Sequence, residues 1–184
     1  VLNTPGDMAQ TPEAYDKLIQ ELNRISLETT GIPCLYGLDH IHGTTYIAGG
    51  ILFPQEINIA ATFNREHAFN MGKVTAYESR AANVPWTFSP TMDLGRNPEW
   101  PRLWESFGED TYVNSELAVA EMKGMQGEDP NKIGPFNIAA CAKHFFGYGV
   151  PVSGQDRTPS SIAASEMREK YFEPFKECLK AGAL

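Results

Sequence analysis

Residues 138–147, IAACAKHFFG, decide the fold, because a short apolar run there ends in adjacent basic residues before a glycine. Residues 34–43, CLYGLDHIHG, and residues 86–96, WTFSPTMDLGR, repeat this design with charged residues at the same place. Each stretch predicts a buried strand that carries polar side chains at its carboxyl end. In a parallel α/β barrel the packed core tolerates few charges, so chemistry collects where the strands end. We therefore expect one site at one edge of a parallel sheet.

Helix-like segments alternate with these three strands. They combine helix-start residues, apolar residues at helical spacing and stop signals. The predicted helices run from Thr11 to Gly31, from Asn64 to about Arg80, from Asp110 to Gly124 or Gly127, and from Ser161 or Ser165 onward with a kink at Pro174. A further strand is expected at residues 1–3. Because strands that alternate with helical crossovers form a parallel sheet, the predicted fold class is α/β.

The predicted architecture is a partial (β/α)8 barrel of the TIM type that comprises about the first four strand–helix units. A complete barrel of this type needs roughly 200 to more than 400 residues, whereas this chain has 184. We expect residues 1–184 to form the N-terminal half of one barrel domain, truncated and without a second domain. Half a barrel exposes unpaired sheet edges, so the missing remainder of the barrel or a second copy of the chain is the expected partner.

Composition excludes several classes of partner. The formal net charge is −8, the isoelectric point is about 5.0, and no basic run occurs, which argues against nucleic acid or an anionic membrane as partner. No apolar stretch approaches the roughly 20 residues that span a bilayer. The three cysteines form no C-x-x-C pair and are expected to be small buried side chains. No nucleotide-binding glycine motif or Gly-x-Ser-x-Gly elbow is present, so no cofactor is expected.

Three polar residues at strand ends are the first candidates for ligand binding. Asp39 can accept hydrogen bonds from two adjacent sugar hydroxyls, and the alternative is a turn or capping role. Lys143 and His144 are adjacent basic residues at the end of a buried strand, which is costly unless a ligand or partner uses them. Charge-assisted hydrogen bonds to hydroxyls are worth roughly 1.5–3 kcal/mol each. The alternatives for Lys143 are a Schiff-base lysine or a pair with a structural carboxylate.

The loop after the second strand supplies further candidates. Arg96 can donate a forked pair of hydrogen bonds, which suits a polyhydroxylated ligand at this edge of the sheet. Trp100, Arg102 and Trp104 form a candidate outer subsite, in which the tryptophans either stack on a sugar face or pack as loop core. Glu105 is expected to pair with Arg102 or to cap the next helix.

Two other groupings of polar residues carry weaker hypotheses. His40 and His42 are alternate residues that would share a strand face, but two histidines without a third ligand do not make a zinc site. No metal is therefore expected. Asp39 and Asp93 could also form a catalytic carboxylate pair by themselves, and this alternative remains open from the sequence.

Six ordered motifs carry a resemblance to a known family. They are GLDHIHG at 37–43, FPQ at 53–55, ATFN at 61–64, FSPTMDLGR at 88–96, WESFGED at 104–110 and ACAKHF at 140–145. Together they resemble the N-terminal barrel domain of glycoside hydrolase family 3, the family of exo-acting β-glucosidases, over nearly the whole chain. The resemblance departs from the family in the loop after Arg96, where Asn97-Pro98-Glu99-Trp100-Pro101-Arg102 replaces a common Asp-Pro-Arg-Trp-Gly-Arg.

The resemblance implies a retaining hydrolysis through a covalent glycosyl-enzyme, in which two carboxylates act. It places the Asp nucleophile on a later strand and the Glu acid/base in a following domain, so neither catalytic residue is expected here. It implies that Asp39, Arg96, Lys143 and His144 bind the sugar. The implied substrate is an oligosaccharide with a terminal β-linked glucose.

The expected activity belongs to the complete enzyme. We expect the isolated fragment to be inactive, and the alternative is a non-catalytic sugar-binding or self-pairing half barrel. Because the first residue is not methionine and no signal-like segment follows, the natural chain is expected to begin earlier. The resemblance implies a periplasmic or secreted location.

Overall fold

The structure, a computed structural model, describes residues 2–4, 6, 8–129 and 131–184. Its α-helices are α1 Pro12–Thr30, α2 Glu56–Ala60, α3 Arg65–Ala81, α4 Thr111–Gln126, α5 Ala164–Glu166 and α6 Glu173–Lys180. Its strands are β1 Gly37–Leu38 and β2 Trp86–Thr87, and it also has a 3-10 helix at Leu103–Glu105 and a π-helical turn at Met167–Tyr171.

Side-chain caps begin the three long helices where the sequence predicts them. Thr11 accepts a hydrogen bond from the backbone N–H of Ala14, and Gly31 ends α1 with a φ of 73°. Asn64 and Asp110 cap α3 and α4 in the same way. A capping oxygen satisfies one of the backbone N–H groups that the first turn leaves unpaired. The predictions of these three helices are confirmed.

The C-terminal helical segment differs from a single kinked helix. It begins at Ala164, widens into the π-helical turn and resumes as α6, with Pro174 in the first turn. Proline has no N–H to donate, so it suits the start of a new helix better than the interior of one. The five-residue α2 was not predicted, because it is too short to show an apolar period.

Four chain segments lie side by side in sequence order and run parallel. β1 pairs with β2, Leu2 forms a bridge to the free side of β1, and Ala139 forms one to the free side of β2. Val1, the first residue of the strand expected at 1–3, lies outside the described residues. The prediction of a parallel α/β arrangement is confirmed in this form.

The regular ladder is shorter than the predicted strands. Pro90 follows β2 closely and has no N–H for a ladder hydrogen bond. Beyond it the backbone continues alongside its neighbour through single contacts, such as the Lys143 N–H to the Pro90 carbonyl at 3.1 Å. Strand-like direction is therefore kept up to the charged residues, even where regular pairing stops.

Apolar side chains pack in two clusters on the helical side of these segments. The larger cluster joins α2, α3, α4 and α6, and the smaller one holds α1 against β1. Cys178 lies in the larger cluster, whereas Cys34 and Cys141 are partly buried, and all three thiols are free. Among the helices of the described segments, none is long and apolar enough to cross a bilayer.

Candidate functional site

An open cavity of about 480 Å³ lies where the parallel segments end. Its walls come from residues after β1, from the loop after β2 and from the chain after the Ala139 bridge. The lining residues are Asp39, Ile41, His42, Thr45, Tyr46, Arg102, Glu105, Lys143, His144, Asp156 and Arg157. Most of them are polar or charged, so the cavity suits a hydrophilic ligand rather than an apolar one.

Asp39 and Lys143 form an ion pair across the cavity floor. The Lys143 Nζ donates to Asp39 Oδ1 over 2.7 Å, and the lysine side chain is only 13% exposed. An ammonium has three protons and a carboxylate has two oxygens, so the pair keeps capacity for ligand hydroxyls. The structure thus brings together two predicted site residues that are far apart in sequence.

His144 is oriented by a carboxylate that does not line the cavity. Its ring Nδ1 lies 2.6 Å from Asp93 Oδ2, and its backbone N–H donates to the same oxygen over 3.2 Å. The Asp93 side chain is completely buried. Because Asp93 Oδ2 already accepts the backbone N–H, we assign it as the acceptor of the ring proton as well, which places that proton on Nδ1 and leaves Nε2 free of that bond. Asp93 is therefore placed to hold His144 rather than to reach a ligand.

Arg102 is the arginine that this loop brings to the cavity. Its guanidinium donates twice to Glu105, from Nε to Oε1 over 2.8 Å and from Nη2 to Oε2 over 2.7 Å. Its Nη1 donates to the Tyr148 hydroxyl over 3.3 Å. These hydrogen bonds, above all those to Glu105, raise the pKa of Arg102. The expected Glu105–Arg102 pair is present, and it fixes the guanidinium in the wall.

Arg96, the predicted sugar-binding arginine, does not line this cavity. Its N–H donates to the Leu94 carbonyl over 2.9 Å, a tight turn that redirects the chain at Gly95. Its Nη1 then donates to Glu166 Oε1 over 2.8 Å, and the side chain lines a separate surface depression. The placement of Arg96 beside Asp39 and Lys143 is corrected: the chain needs six more residues to return to the cavity, at Arg102.

The two tryptophans of the candidate outer subsite are not exposed platforms in the cavity. Trp100 is 1% exposed, and its Nε1 donates to Asp156 Oδ1 over 3.0 Å. Its ring packs edge-on against Tyr148 at a centroid distance of 5.5 Å. Trp104 is about half exposed but does not line the cavity. Trp100 is therefore loop core, and only Arg102 of the three predicted residues belongs to the cavity.

Sequence reasoning missed Asp156 in the cavity wall and Tyr148, which bonds to it from outside the lining. The Tyr148 hydroxyl donates to Asp156 Oδ1 over 2.6 Å. The centroid of the Tyr148 ring lies 4.6 Å from that of the His144 ring. Burial tends to raise the pKa of Asp156, but hydrogen bonds from Tyr148 and Trp100 lower it overall. The adjacent Arg157 has a φ of 59°, uncommon for a residue with a side chain. The glycine- and proline-rich composition of residues 147–159 was the available signal.

His40 and His42 do not converge on a common point. His40 is fully buried with Nδ1 2.8 Å from the Ser79 hydroxyl, whereas Nδ1 of His42 lies 2.7 Å from the Phe53 carbonyl. Burial lowers the pKa of His40 to about 3, so it is a neutral core residue. Over residues 2–4, 6, 8–129 and 131–184, no group of three or more His, Cys, Asp or Glu side chains is arranged to hold a metal ion.

Comparisons with known proteins agree on one family. The family model for the glycosyl hydrolase family 3 N terminal domain matches residues 1–184. The lysosomal beta glucosidase of Dictyostelium discoideum is 42% identical over 156 residues, which are 83% of this chain and 19% of that protein.

Solved structures show the same likeness. A β-glucosidase involved in saponin metabolism from intestinal bacteria superposes with a TM-score of 0.88 at 32% identity, covering 99% of this chain and 23% of that one. The β-glucosidase of Listeria innocua in complex with glucose gives a TM-score of 0.82 at 34% identity, covering 90% of this chain and 23% of that one. The chain spans about a fifth to a quarter of the length of these relatives.

Proposed function

The chain belongs to glycosyl hydrolase family 3, and from that membership we propose that it supplies the sugar-binding half of the active site of a retaining, exo-acting β-glucosidase. One observation carries the proposal. Asp39, Lys143, His144 and Arg102 come from three separate parts of the chain and line one cavity at the ends of parallel segments. A polyhydroxylated ring needs such a mixture of charged donors and acceptors around it.

We propose that residues 1–184 are the N-terminal half of a (β/α)8 barrel domain. The sequential parallel order of Leu2, β1, β2 and Ala139 supports this, because a barrel of this type is built from consecutive parallel strands. Ala139 and the residues after it would then pair with a later strand. The remainder of the barrel is the proposed partner of this edge, since an open parallel edge is unfavourable.

In the proposed reaction this chain binds and orients, and it does not break the bond. Two carboxylates perform a retaining hydrolysis, one as nucleophile and one as acid and base. We place both outside residues 1–184. Asp39 accepts hydrogen bonds from sugar hydroxyls, and Lys143 and Arg102 donate to them. These contacts contribute to rate where they tighten as the ring distorts toward the transition state. Two carboxylates suffice for this chemistry, so no cofactor takes part.

His144 has a separate role in this arrangement. Asp93 holds its ring by Nδ1, which leaves Nε2 to meet a sugar hydroxyl. The burial of Asp93 behind this ring argues against the alternative that Asp39 and Asp93 are themselves the catalytic pair. The ion pair with Asp39 likewise argues against a Schiff-base role for Lys143, because an ammonium that donates to a carboxylate has no free lone pair to attack a carbonyl.

The proposed substrate is an oligosaccharide with a terminal β-linked glucose, and the proposed location is periplasmic or secreted. The complete natural chain is expected to release p-nitrophenol from its β-glucoside. It should act more slowly on the matched β-xyloside, which lacks the hydroxymethyl group. A complete chain that hydrolyses neither the glucoside nor the xyloside would overturn the proposal. Glucose binding without turnover would favour the alternative, a non-catalytic sugar-binding module.

Residues 1–184 alone test the proposal that this part of the enzyme binds the sugar but does not break the glycosidic bond. We expect no release of p-nitrophenol, because the nucleophile lies outside them. Hydrolysis at a rate close to that of the complete chain would show that this proposal is wrong. Sedimentation of the same fragment separates a monomer from a self-paired dimer, the state that the half-barrel alternative requires.

A further inference from the structure

Two fully buried carboxyl groups lie outside the cavity lining, and the proposed hydrolysis does not use them. Glu56 is the first residue of α2, and Glu121 lies in α4; neither is exposed. Glu121 Oε1 accepts a hydrogen bond from the Ser89 hydroxyl over 2.7 Å. Within the part of the chain that the structure describes, Oε2 of Glu121 and both carboxyl oxygens of Glu56 have no hydrogen-bond partner.

These unpartnered oxygens disfavour the ionisation of both carboxyls. A buried carboxylate without donors is strongly destabilising, and two close to each other also repel. Burial raises the pKa of Glu121 to about 8 and, together with the charge of Glu121, raises the pKa of Glu56 well above its usual value. A protonated Glu56 would supply an O–H donor, and Glu121 Oε2 is an acceptor that lacks one. Two such groups titrate as a pair.

The cavity lysine is the positive charge that acts on both carboxyls. Ser89 donates its hydroxyl proton to Glu121, and the carbonyl of the next residue, Pro90, accepts the Lys143 N–H over 3.1 Å, so one short segment contacts both Glu121 and Lys143. The Lys143 ammonium accordingly opposes the rise of both pKa values. Among the described residues, the other charged or titratable groups around the pair are Glu105 with its partner Arg102, and the Cys178 thiol of α6. The buried residues that α3 contributes to the larger apolar cluster are uncharged: Ala68, Met71 and Ala76.

We propose that Glu56 and Glu121 hold at least one proton between them at neutral pH, and that this proton keeps Lys143 available to Asp39 and to the bound sugar. Loss of the proton at alkaline pH would add negative charge behind Lys143 and draw its ammonium away from Asp39. The Glu56–Glu121 pair is thus a positioning element for Lys143. This inference rests on the proposed function in one respect, namely that Lys143 holds the sugar.

The proton is tested first, in the complete natural chain and without a sugar. Infrared spectroscopy distinguishes the C=O stretch of a protonated carboxylic acid from the bands of carboxylates. We expect this stretch at neutral pH in the natural chain, and its loss or displacement in Glu56→Gln and Glu121→Gln. The control is Glu116→Gln, because Glu116 lies in α4 like Glu121 but forms an ion pair of 2.6 Å with Arg65. It should leave the stretch unchanged.

The effect on Lys143 is tested by the pH dependence of glucose binding, measured as competitive inhibition. We expect binding to weaken by about tenfold at alkaline pH, the loss of roughly one charge-assisted hydrogen bond. In Glu56→Gln and Glu121→Gln the pair can no longer carry two charges, and the remaining carboxyl has no like-charged neighbour to raise its pKa, so this step should be lost from its natural pH. Glu116→Gln should keep the natural step.

The outcomes separate this inference from the proposed function. Absence of the protonated-acid stretch at neutral pH, or an alkaline step that neither glutamine variant moves, would overturn the inference. A complete chain that binds no glucose would overturn the proposed function and the link to the sugar, whereas the infrared stretch would still decide whether the pair holds a proton. Because glutamine matches glutamate in size, we expect both variants to fold, and melting curves verify this.

Discussion

Asp93 accepts two hydrogen bonds from His144, one from the ring Nδ1 at 2.6 Å and one from the backbone N–H at 3.2 Å, both at the same carboxylate oxygen. The two bonds fix the ring and the backbone of His144 relative to each other. Lys143, the preceding residue, is held by Asp39 from the other side of the cavity. Two carboxylates therefore set the positions of the two adjacent basic residues, and of the two only Asp39 lines the cavity.

Replacing Asp93 should impair sugar binding through His144 alone. We expect Asp93→Asn to weaken glucose binding about tenfold, because the amide keeps an acceptor but loses the charge. In a chain that already carries His144→Gln, the same change should have little further effect. Competitive inhibition in the four variants of this double-mutant cycle measures the coupling. Additive effects would show that Asp93 acts by another route.

Arg102 and Arg96 give a matched test of the cavity, since both are arginines of one loop with a carboxylate partner. We expect Arg102→Gln to weaken glucose binding by roughly tenfold to a hundredfold, the value of one or two charge-assisted hydrogen bonds. Arg96→Gln should leave binding within about twofold, because its side chain pairs with Glu166 outside the cavity. The opposite ranking would return Arg96 to the site and contradict the placement found here.

The helices α3 and α4 approach each other closely at two glycines. A Cβ added to Gly124 would lie 2.1 Å from the Phe69 carbonyl oxygen, and one added to Gly72 would lie 2.2 Å from the Glu121 carbonyl oxygen. We expect Gly124→Ala and Gly72→Ala to destabilise the fold by about 1–3 kcal/mol each, the cost of overpacking. Helix propensity alone predicts the opposite sign, a gain of about 1 kcal/mol. Denaturant unfolding decides between the two.

The neutral, buried His40 makes stability depend on pH. Its pKa is about 3 in the folded chain, against 6.5 for the free side chain. Between these values the unfolded chain binds more protons than the folded one, so the contribution of His40 to stability is lost as pH falls below 6.5. The slope is at most about 1.4 kcal/mol per pH unit.

His40→Gln, which does not titrate, should therefore flatten the acid limb of a plot of unfolding free energy against pH. His67→Gln provides the control, because His67 is exposed on α3. The control should reproduce the natural slope. Equal slopes in all three chains would contradict a neutral His40 in the folded state.

The sequence by itself determined the local structure and the family. Capping residues such as Thr11, Asn64 and Asp110 act within one helical turn, so their effect is visible in the order of residues. The apolar runs that end in Asp39 and Lys143 likewise indicated parallel segments with charged ends. The six ordered motifs were sufficient to indicate the family, which the family model confirms over residues 1–184.

Only the tertiary structure decided which charged residues meet. Asp39 and Lys143 are 104 positions apart, and no local signal links them. Arg96 and Arg102 look alike in the sequence, and a turn at Gly95 together with the carboxylates of Glu166 and Glu105 separates them. The burial of Glu56 and Glu121 follows from the packing of α2 against α4. These contacts join helices that are far apart in the sequence, so no local pattern of residues reveals them.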